Sequence, residues 1–319
     1  MNREGSFFTV KGDVSMKTWL DLHMHSSFSS DGEFAPRTLV EKCAEANLKT
    51  IALADHNCIR GNIEAKSTAD ELGLEFFPAV ELYCTFDEGY YELNFHLLGY
   101  GINPHDENLL RNEKSVHQQE INVSSELLRR IHELGFQFND DEVWSKANNG
   151  VIVAEMIGET ILRDSRNDSD DRLKDFRPGG MKSNNPPVNF YWDFCSLGKP
   201  AYVPMNYISF ADAIQFVKNA GGAAVLAHPG VNMGQNREVA EKLIKLGIDG
   251  IEVYSNYHDA ETRKFYLEIV NDFNLIATSG SDFHGSTKPS IHLGEIGNPK
   301  PEKVVERLKS IISERGGVF

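Results

Sequence analysis

The residues of this chain best suited to chemistry are six of its eleven histidines and three acids, spread along most of its 319 residues. The first motif is Asp21-Leu22-His23-Met24-His25, followed by Asp31-Gly32. On a strand, His23 and His25 point to the same face, because side chains two residues apart share a face. Paired imidazoles of this kind are typical ligands of zinc and similar ions. A single His-x-His motif fits a structural role equally well, so the interpretation depends on recurrence of the pattern.

Similar side chains recur where later strands are predicted to end. The recurring motifs are Asp55-His56, Glu81, His96, His228-Pro229 and Asp282-Phe283-His284. Imidazole and carboxylate without thiolate suit Zn, Mn or Fe with positions open to water, rather than a closed structural zinc site. One ion needs four to six donors, so the set predicts two or three divalent transition-metal ions. The nine candidate ligands are His23, His25, Asp31, His56, Glu81, His96, His228, Asp282 and His284. Asp55 faces away from its neighbour His56 on a strand, so we expect it to support a ligand.

The elements that must position these residues alternate between strand and helix in both outer thirds of the chain. Apolar runs predict strands over Thr18–His25, Thr50–His56, Leu74–Tyr83, Leu93–Tyr100, Ala223–Pro229, Gly250–Ser255 and Leu275–Ser279. Helical periodicity separates most of these runs. About seven strands with helices between them predict an α/β barrel, closed or nearly so. The carboxyl ends of the strands of such barrels carry the chemistry.

The middle of the chain lacks this alternation of strands and helices. Residues 104–199 are predicted to form a helical insert, with a long helical pattern over Leu109–Leu134 and a shorter helix over Ile152–Leu162. Within it, residues 163–187 are polar and charged and contain Pro178-Gly179-Gly180 and Pro186-Pro187, which predicts a flexible loop. The barrel would then comprise residues 17–103 and 200–319, and residues 1–16 a loose leader, with Met1 and Met16 both open as the start.

Composition excludes several classes of function. The formal charge of −15 disfavours broad binding to nucleic acid or to an anionic membrane, leaving at most a short oligonucleotide. Four cysteines without paired spacing, and no signal peptide or apolar run of membrane length, predict a reduced, cytoplasmic protein. No phosphate-binding Walker loop, dinucleotide fingerprint or Gly-x-Ser-x-Gly motif is present.

Taken in order, these motifs resemble those of the PHP (polymerase and histidinol phosphatase) family over Leu20 to Gly294. Shorter blocks are similar to its small stand-alone phosphoesterases: Gly198–Pro204, Ala223–Gly230, Ile251–Tyr254 and Gly280–His284. The resemblance implies a distorted (β/α)7 barrel with a trinuclear metal site. It also implies a hydrolase in which a metal-activated hydroxide attacks phosphorus in a nucleotide or a cyclic ribose phosphate.

The resemblance further implies how the ligands divide among the ions. One ion would be held by His23, His25, Glu81 and Asp282, a second by Glu81, His96 and His228, and a third by Asp31, His56 and His284. Glu81, Asp282 and His228 are the residues expected to act in catalysis.

One element departs from the family pattern. Nucleotide-cleaving members tend to carry Arg-x-His-x-x-Arg in the insert, and the matching positions here are Ala154, Met156 and Glu159. Loss of charge-assisted hydrogen bonds is worth about 1.5–3 kcal/mol each. The sequence therefore predicts a preference for substrates with one phosphoryl group over 3′,5′-bisphosphates.

Three further residues are candidates for substrate binding: Lys199, Tyr202 and His258. Structural roles are equally compatible with Lys199 and His258, and favoured for Tyr202. His105, His117, His132 and His292 are expected to have ordinary structural roles.

Three alternatives stay open. Within enzymes they are a histidinol-phosphate phosphatase and a 5′-3′ exoribonuclease acting on short RNA. Outside enzymes, the chain could be a non-catalytic PHP module that binds metal for structure, although its complete set of candidate ligands disfavours this.

Overall fold

The computed structural model describes residues 17–87 and 92–319. These residues form two compact units, one of residues 17–113 with 207–319 and one of residues 114–206. The predicted leader, including Met16, lies outside the described residues. No helix in the described ranges has both the length and the apolar character needed to cross a membrane.

The first unit is built on one mixed sheet. Its strands are β1 (Leu20–Asp21), β2 (Thr50–Leu53), β3 (Glu75–Asp87), β4 (Glu92–Tyr100), β5 (Ile208–Ser209), β6 (Ala223–Leu226), β7 (Gly250–Ser255) and β8 (Ile276–Gly280). They are ordered β1-β2-β3-β4-β6-β7-β8, and the short β5 pairs with β3 off this path. Every pairing along the path is parallel except those of β4, which is antiparallel to both β3 and β6.

The two ends of the sheet meet. The amide of Leu22 donates to the carbonyl of Ser279 at 3.1 Å, and Met24 forms a parallel bridge with Phe283. The sheet is therefore a nearly closed α/β barrel, as predicted. The strands are apolar and buried because helices cover their outer faces: β2, for instance, is buried at all four positions.

The α-helices of the described residues are α1 (Pro36–Glu45), α2 (Gly61–Leu72), α3 (Glu107–Glu133), α4 (Asp140–Trp144), α5 (Ala154–Arg163), α6 (Pro186–Phe190), α7 (Phe210–Asn219), α8 (Pro229–Met233), α9 (Arg237–Lys245), α10 (Ala260–Asp272) and α11 (Pro301–Arg315). Several begin at residues that favour a helix start. Asn236 and Asp259 accept hydrogen bonds from the first turns of α9 and α10, and Pro36 and Pro301 open α1 and α11.

The second unit, residues 114–206, has its own apolar core. Phe136, Ile157 and Phe190 are fully buried in it. The long helix α3 crosses from residue 113 into this unit, whereas the boundary expected from the sequence lay near residue 104. The segment expected to be a loop, 163–187, contains two 3-10 turns, Ser165–Asn167 and Asp171–Phe176.

Two predictions about the strands were wrong in detail. The first strand ends at Asp21 rather than His25, because the chain then makes single contacts with the loop after β8. Glu81 and His96 lie within strands rather than at their ends, at the Glu81–Leu98 and Tyr83–His96 register positions of β3 and β4. Because β4 runs against its neighbours, the rule about carboxyl ends does not apply to His96.

Candidate metal centre

All nine predicted ligands lie together in the barrel unit. Most are buried: the side chains of His23, His25, Glu81 and His284 have no exposed surface. At the edge of the group, the side chains of Asp31 and His96 are 22% and 25% exposed. The cluster therefore has a buried floor and a side open to solvent.

Glu81 is the centre of this group. Its Oε1 atom lies 2.7 Å from Nδ1 of His96 and 3.0 Å from Nε2 of His228. Its Oε2 atom lies 2.8, 3.2 and 3.3 Å from Nδ1 of His56, Nε2 of His23 and Nε2 of His25. One carboxylate thus faces two sets of imidazoles through its two oxygens, which is the arrangement of a bridging ligand.

Asp282 also divides its two oxygens. Oδ1 lies 3.0 Å from Nε2 of His25 and 3.5 Å from Nε2 of His23. Oδ2 lies 2.6 Å from Nζ of Lys288 and accepts a hydrogen bond from the hydroxyl of Tyr257. The backbone of Asp282 has φ of 60°, a conformation uncommon for residues other than glycine, which suits a position fixed by its surroundings.

The remaining acid, Asp31, joins the solvent side of the cluster. Its Oδ2 atom lies 3.2 Å from Nε2 of His284 and 3.7 Å from Nε2 of His56. Donor atoms approach within 4.8 Å of one another in three sets, namely His23, His25, Glu81 and Asp282; Glu81, His96 and His228; and His25, His56 and His284. The first two sets have the membership implied by the family resemblance, whereas the third contains His25 in place of Asp31.

The residues fit divalent ions. Several buried polar atoms of the cluster have no hydrogen-bond partner among the described residues: Nε2 of His23, Nε2 of His25, Nδ1 of His56, Oε2 of Glu81, Oδ1 of Asp31 and Oδ1 of Asp282. Buried polar atoms without partners are costly, so their convergence at one place is the pattern expected of a cation-binding site. Nitrogen and carboxylate oxygen are donors that zinc, manganese and iron accept.

The pKa shifts of His25 and Glu81 are also compatible with the binding of divalent cations. Burial and the neighbouring His284 and His56 hold the pKa of His25 well below its ordinary value, so this ring is neutral and can donate a lone pair. Burial alone would raise the pKa of Glu81, but His23, His96 and His56 outweigh it and hold that pKa well below the ordinary value. The bridging carboxylate is therefore ionised at neutral pH.

Asp55 supports the cluster from behind. Its carboxylate accepts hydrogen bonds from the amide and hydroxyl of Ser26, both at 2.7 Å, and from the hydroxyl of Ser29 at 2.9 Å. The same Ser29 hydroxyl lies 3.1 Å from Nδ1 of His25. Burial raises the pKa of Asp55 to about 6. This arrangement is compatible with the supporting role expected for Asp55.

The three predicted substrate-binding residues are placed differently. Both ring nitrogens of His258 have partners within the fold: Nδ1 lies 2.9 Å from the carbonyl of Val253, and Nε2 accepts from the amide of Gly230 at 3.0 Å. The ring is buried, so a phosphate-binding role does not fit it. Lys199 is exposed and Tyr202 half-buried, and both belong to the 114–206 unit. Their role in binding stays a prediction.

Sequence reasoning missed Glu252, Tyr257 and Lys288. Glu252 carried a usable signal, since it is the single acid in the apolar stretch Gly250–Tyr254. Tyr257 and Lys288 lie in loops after strands, where their types and spacing give no signal.

Comparison with known proteins agrees with the geometry. The PHP domain model matches residues 21–163. A 3′,5′-nucleoside bisphosphate phosphatase of Chromobacterium violaceum is 31% identical over an alignment covering 83% of this chain and 87% of that protein. This chain belongs to the PHP family.

Two further proteins align over similar lengths. A 5′-3′ exoribonuclease of Haemophilus influenzae is 27% identical, with 83% of this chain and 89% of that protein covered. A solved structure from Bifidobacterium adolescentis, described as a metal-dependent phosphoesterase, superimposes with a TM-score of 0.73. It is 26% identical, and the match covers 92% of this chain and 96% of the other. The PHP-family chain is accordingly a metal-dependent phosphoesterase, which confirms the enzyme class predicted from its motifs.

Proposed function

We propose that this PHP-family enzyme holds two to three divalent transition-metal ions, Mn, Fe or Zn, and hydrolyses one phosphate ester of a small nucleotide or ribose phosphate. The observation that carries the proposal is the convergence of unpartnered buried donor atoms around Glu81. When bound, the ions supply activation of water near neutral pH and neutralisation of charge on the phosphoryl group. The nine ligands proposed are those predicted from the sequence.

Glu81 and Asp282 have distinct parts in this proposal. Glu81 presents one oxygen to each of two imidazole sets and, being ionised and fully buried, offsets the charge of more than one cation. Asp282 presents only Oδ1 to the cluster, because Lys288 and Tyr257 occupy Oδ2. His228, which immediately precedes α8, is the third residue proposed to act in catalysis.

Among the described residues, Lys288 is a cationic side chain in direct contact with a proposed ligand, and we assign it to substrate binding. Its ammonium lies 2.6 Å from Oδ2 of Asp282 and 2.9 Å from the hydroxyl of Tyr257, with 22% of the side chain exposed. Burial alone would lower its pKa, but Asp282 and Tyr257 outweigh burial and hold that pKa above the ordinary value. A permanently charged ammonium beside the ligands is suited to bind a phosphoryl oxygen.

The proposed preference for a substrate with a single phosphoryl group rests on the side chains at positions 154, 156 and 159 of the insert. Ala154 is buried at the start of α5, and Glu159 pairs with Nζ of Lys146 at 3.0 Å and with Arg163 at 2.5 Å. Glu159 is thus fixed by two cations, which moderates the repulsion expected from its charge. No phosphate-binding donor occupies these positions, so we retain the prediction of a monoester or a cyclic diester as substrate.

An assay over a matched panel tests the proposal. The panel holds nucleoside 5′-monophosphates, cyclic ribose phosphates and 3′,5′-bisphosphates, each with added Mn and with chelator. Metal-dependent release of phosphate, or opening of a cyclic diester, is expected and should disappear in the Glu81→Gln variant. Activity that survives both chelator and this substitution would contradict the proposal.

The exoribonuclease similarity favours one second candidate. In that case the enzyme would remove 5′-mononucleotides from a short 5′-phosphorylated RNA. Including such an RNA in the panel separates the two candidates, because a phosphatase removes phosphate without shortening the chain.

A further inference from the structure

Glu252 is a fully buried carboxylate that the nine predicted ligands do not include. It lies in the middle of β7. Its Oε1 atom lies 2.9 Å from Nδ1 of His23, and its Oε2 atom accepts a hydrogen bond from the backbone amide of His228 at 2.9 Å. A single side chain thus contacts two proposed ligands that come from different parts of the sheet.

The contact with His23 selects which ring nitrogen faces the cluster. When Nδ1 of His23 donates its proton to Glu252, Nε2 carries the free lone pair. That Nε2 atom lies 3.2 Å from Oε2 of Glu81 and 3.5 Å from Oδ1 of Asp282. Carboxylates that accept the other N–H of an imidazole in this way fix the tautomer and the orientation of metal-binding histidines.

The contact with His228 acts on the backbone. His228 has φ of 21° and ψ of 56°, a conformation that residues other than glycine rarely adopt. Its amide is held by Glu252, and its ring is thereby placed with Nε2 3.0 Å from Oε1 of Glu81. The hydrogen bond compensates for an unfavourable conformation that brings the imidazole to the centre.

Gly280 leaves the space that this pair needs. A Cβ atom at position 280 would lie 2.0 Å from Cβ of His23 and 2.5 Å from Oε1 of Glu252. No side chain fits there without displacing one of them. The end of β8 is therefore shaped around the contact between His23 and Glu252.

We propose that Glu252 is a positioning residue of the metal centre, holding Nε2 of His23 and the backbone of His228 in their ligand geometry. The inference rests on the proposed metal-binding function. An amide in place of the carboxylate cannot do both tasks. Its single oxygen can replace only one of the two carboxylate oxygens that make these contacts, and its NH2 group then opposes the amide of His228 or donates to Nδ1 of His23. The second arrangement moves the ring proton to Nε2, which removes the lone pair from the cluster.

The test compares Glu252→Gln with a matched variant, Glu113→Gln. Glu113 is also a buried acid, 6% exposed; it accepts from the amide of Ile59 at 3.0 Å and pairs with Arg60, and neither partner is a proposed ligand. Each purified protein is stripped with chelator and titrated with Zn, with affinity and stoichiometry measured by competition with a chromophoric chelator. The melting temperature of each metal-free protein is recorded as well.

We expect Glu252→Gln to bind its tightest Zn ion about ten- to a hundredfold more weakly than wild type. Glu113→Gln should bind as wild type does. Equal Zn affinity in Glu252→Gln and wild type would overturn the positioning role alone. If the wild-type protein bound neither Zn nor, in the same titration, Mn or Fe, the proposed function would be overturned as well. An equal loss of affinity in both variants would mean a general effect on stability, and would also overturn the inference.

A second measurement tests the proposal in the wild-type protein and so does not depend on whether Glu252→Gln folds. In Zn-loaded wild-type protein labelled with ¹⁵N-histidine, the resonances of His23 should report a protonated Nδ1, with a downfield proton bonded to the carboxylate. His23→Asn identifies the signal by its loss. A proton found on Nε2 of His23 would overturn the proposal.

Discussion

Glu81 and His96 lie on neighbouring antiparallel strands, two register positions apart, and Oε1 of Glu81 is 2.7 Å from Nδ1 of His96. Residues that pair in an antiparallel ladder share a face, and so do residues two apart on one strand. The pairing of Tyr83 with His96 therefore brings that imidazole to the same face as Glu81. The bridging position of Glu81 depends on this register, since a slip of one residue would turn either side chain out of the cluster.

The number of ions is the first prediction. Because three sets of donors converge and Glu81 belongs to two of them, we expect close to three transition-metal ions per chain. Elemental analysis of protein purified without chelator, from cells supplied with Mn, Fe and Zn, measures this number. One ion or fewer per chain under these conditions would contradict the trinuclear arrangement.

The second prediction concerns Glu81. Glu81→Gln keeps the volume of the side chain but removes the charge that faces both imidazole sets. We expect kcat to fall about a hundredfold or more while the circular dichroism spectrum stays that of wild type. Glu113→Gln is the control for loss of a buried carboxylate, and near-normal turnover by Glu81→Gln would refute the bridging role.

The third prediction concerns substrate preference. Replacing Glu159 by Arg, together with Met156→His and Ala154→Arg, restores the donors that nucleotide-cleaving relatives tend to carry. The ratio of kcat/KM for bisphosphate over monophosphate should rise about tenfold or more, because even 1.4 kcal/mol corresponds to a factor of ten.

Glu159→Met alone is the control, since it breaks the pairs with Lys146 and Arg163 without adding a donor. A wild-type enzyme that already prefers bisphosphates tenfold would show that other cations replace the missing ones.

The fourth prediction concerns Lys288. Lys288→Met should raise KM for a phosphate monoester about tenfold, because a charge-assisted contact is lost, while the metal content is retained. Lys309→Met is a matched control, since Lys309 is a partly exposed lysine paired with Glu75 away from the cluster. Unchanged KM with reduced metal content would mean that Lys288 acts only by holding Asp282.

The fifth prediction concerns acid stability. Burial lowers the pKa of His258 from 6.5 to about 4, so between these values the unfolded chain binds a proton that the native protein does not. Stability is thus lost as pH falls from about 6.5 towards 4, by up to about 3 kcal/mol from this group.

Urea unfolding of chelator-treated protein at pH 7.5 and pH 4 measures the effect. The loss of stability on acidification should be smaller in His258→Gln, and the same loss in both proteins would contradict the assignment.

The sequence by itself determined the barrel class, the PHP family and the nine candidate ligands. It could do so because strand composition and the order of His, Asp and Glu motifs are local properties of the chain. Tertiary structure decided which oxygen of Glu81 faces which imidazole, the antiparallel course of β4, and the approach of Glu252 and Lys288 to the ligands. Glu252 and His23 are 229 residues apart, and only closure of the sheet brings them within 2.9 Å. Such contacts depend on register and closure, which no local pattern of residue types encodes.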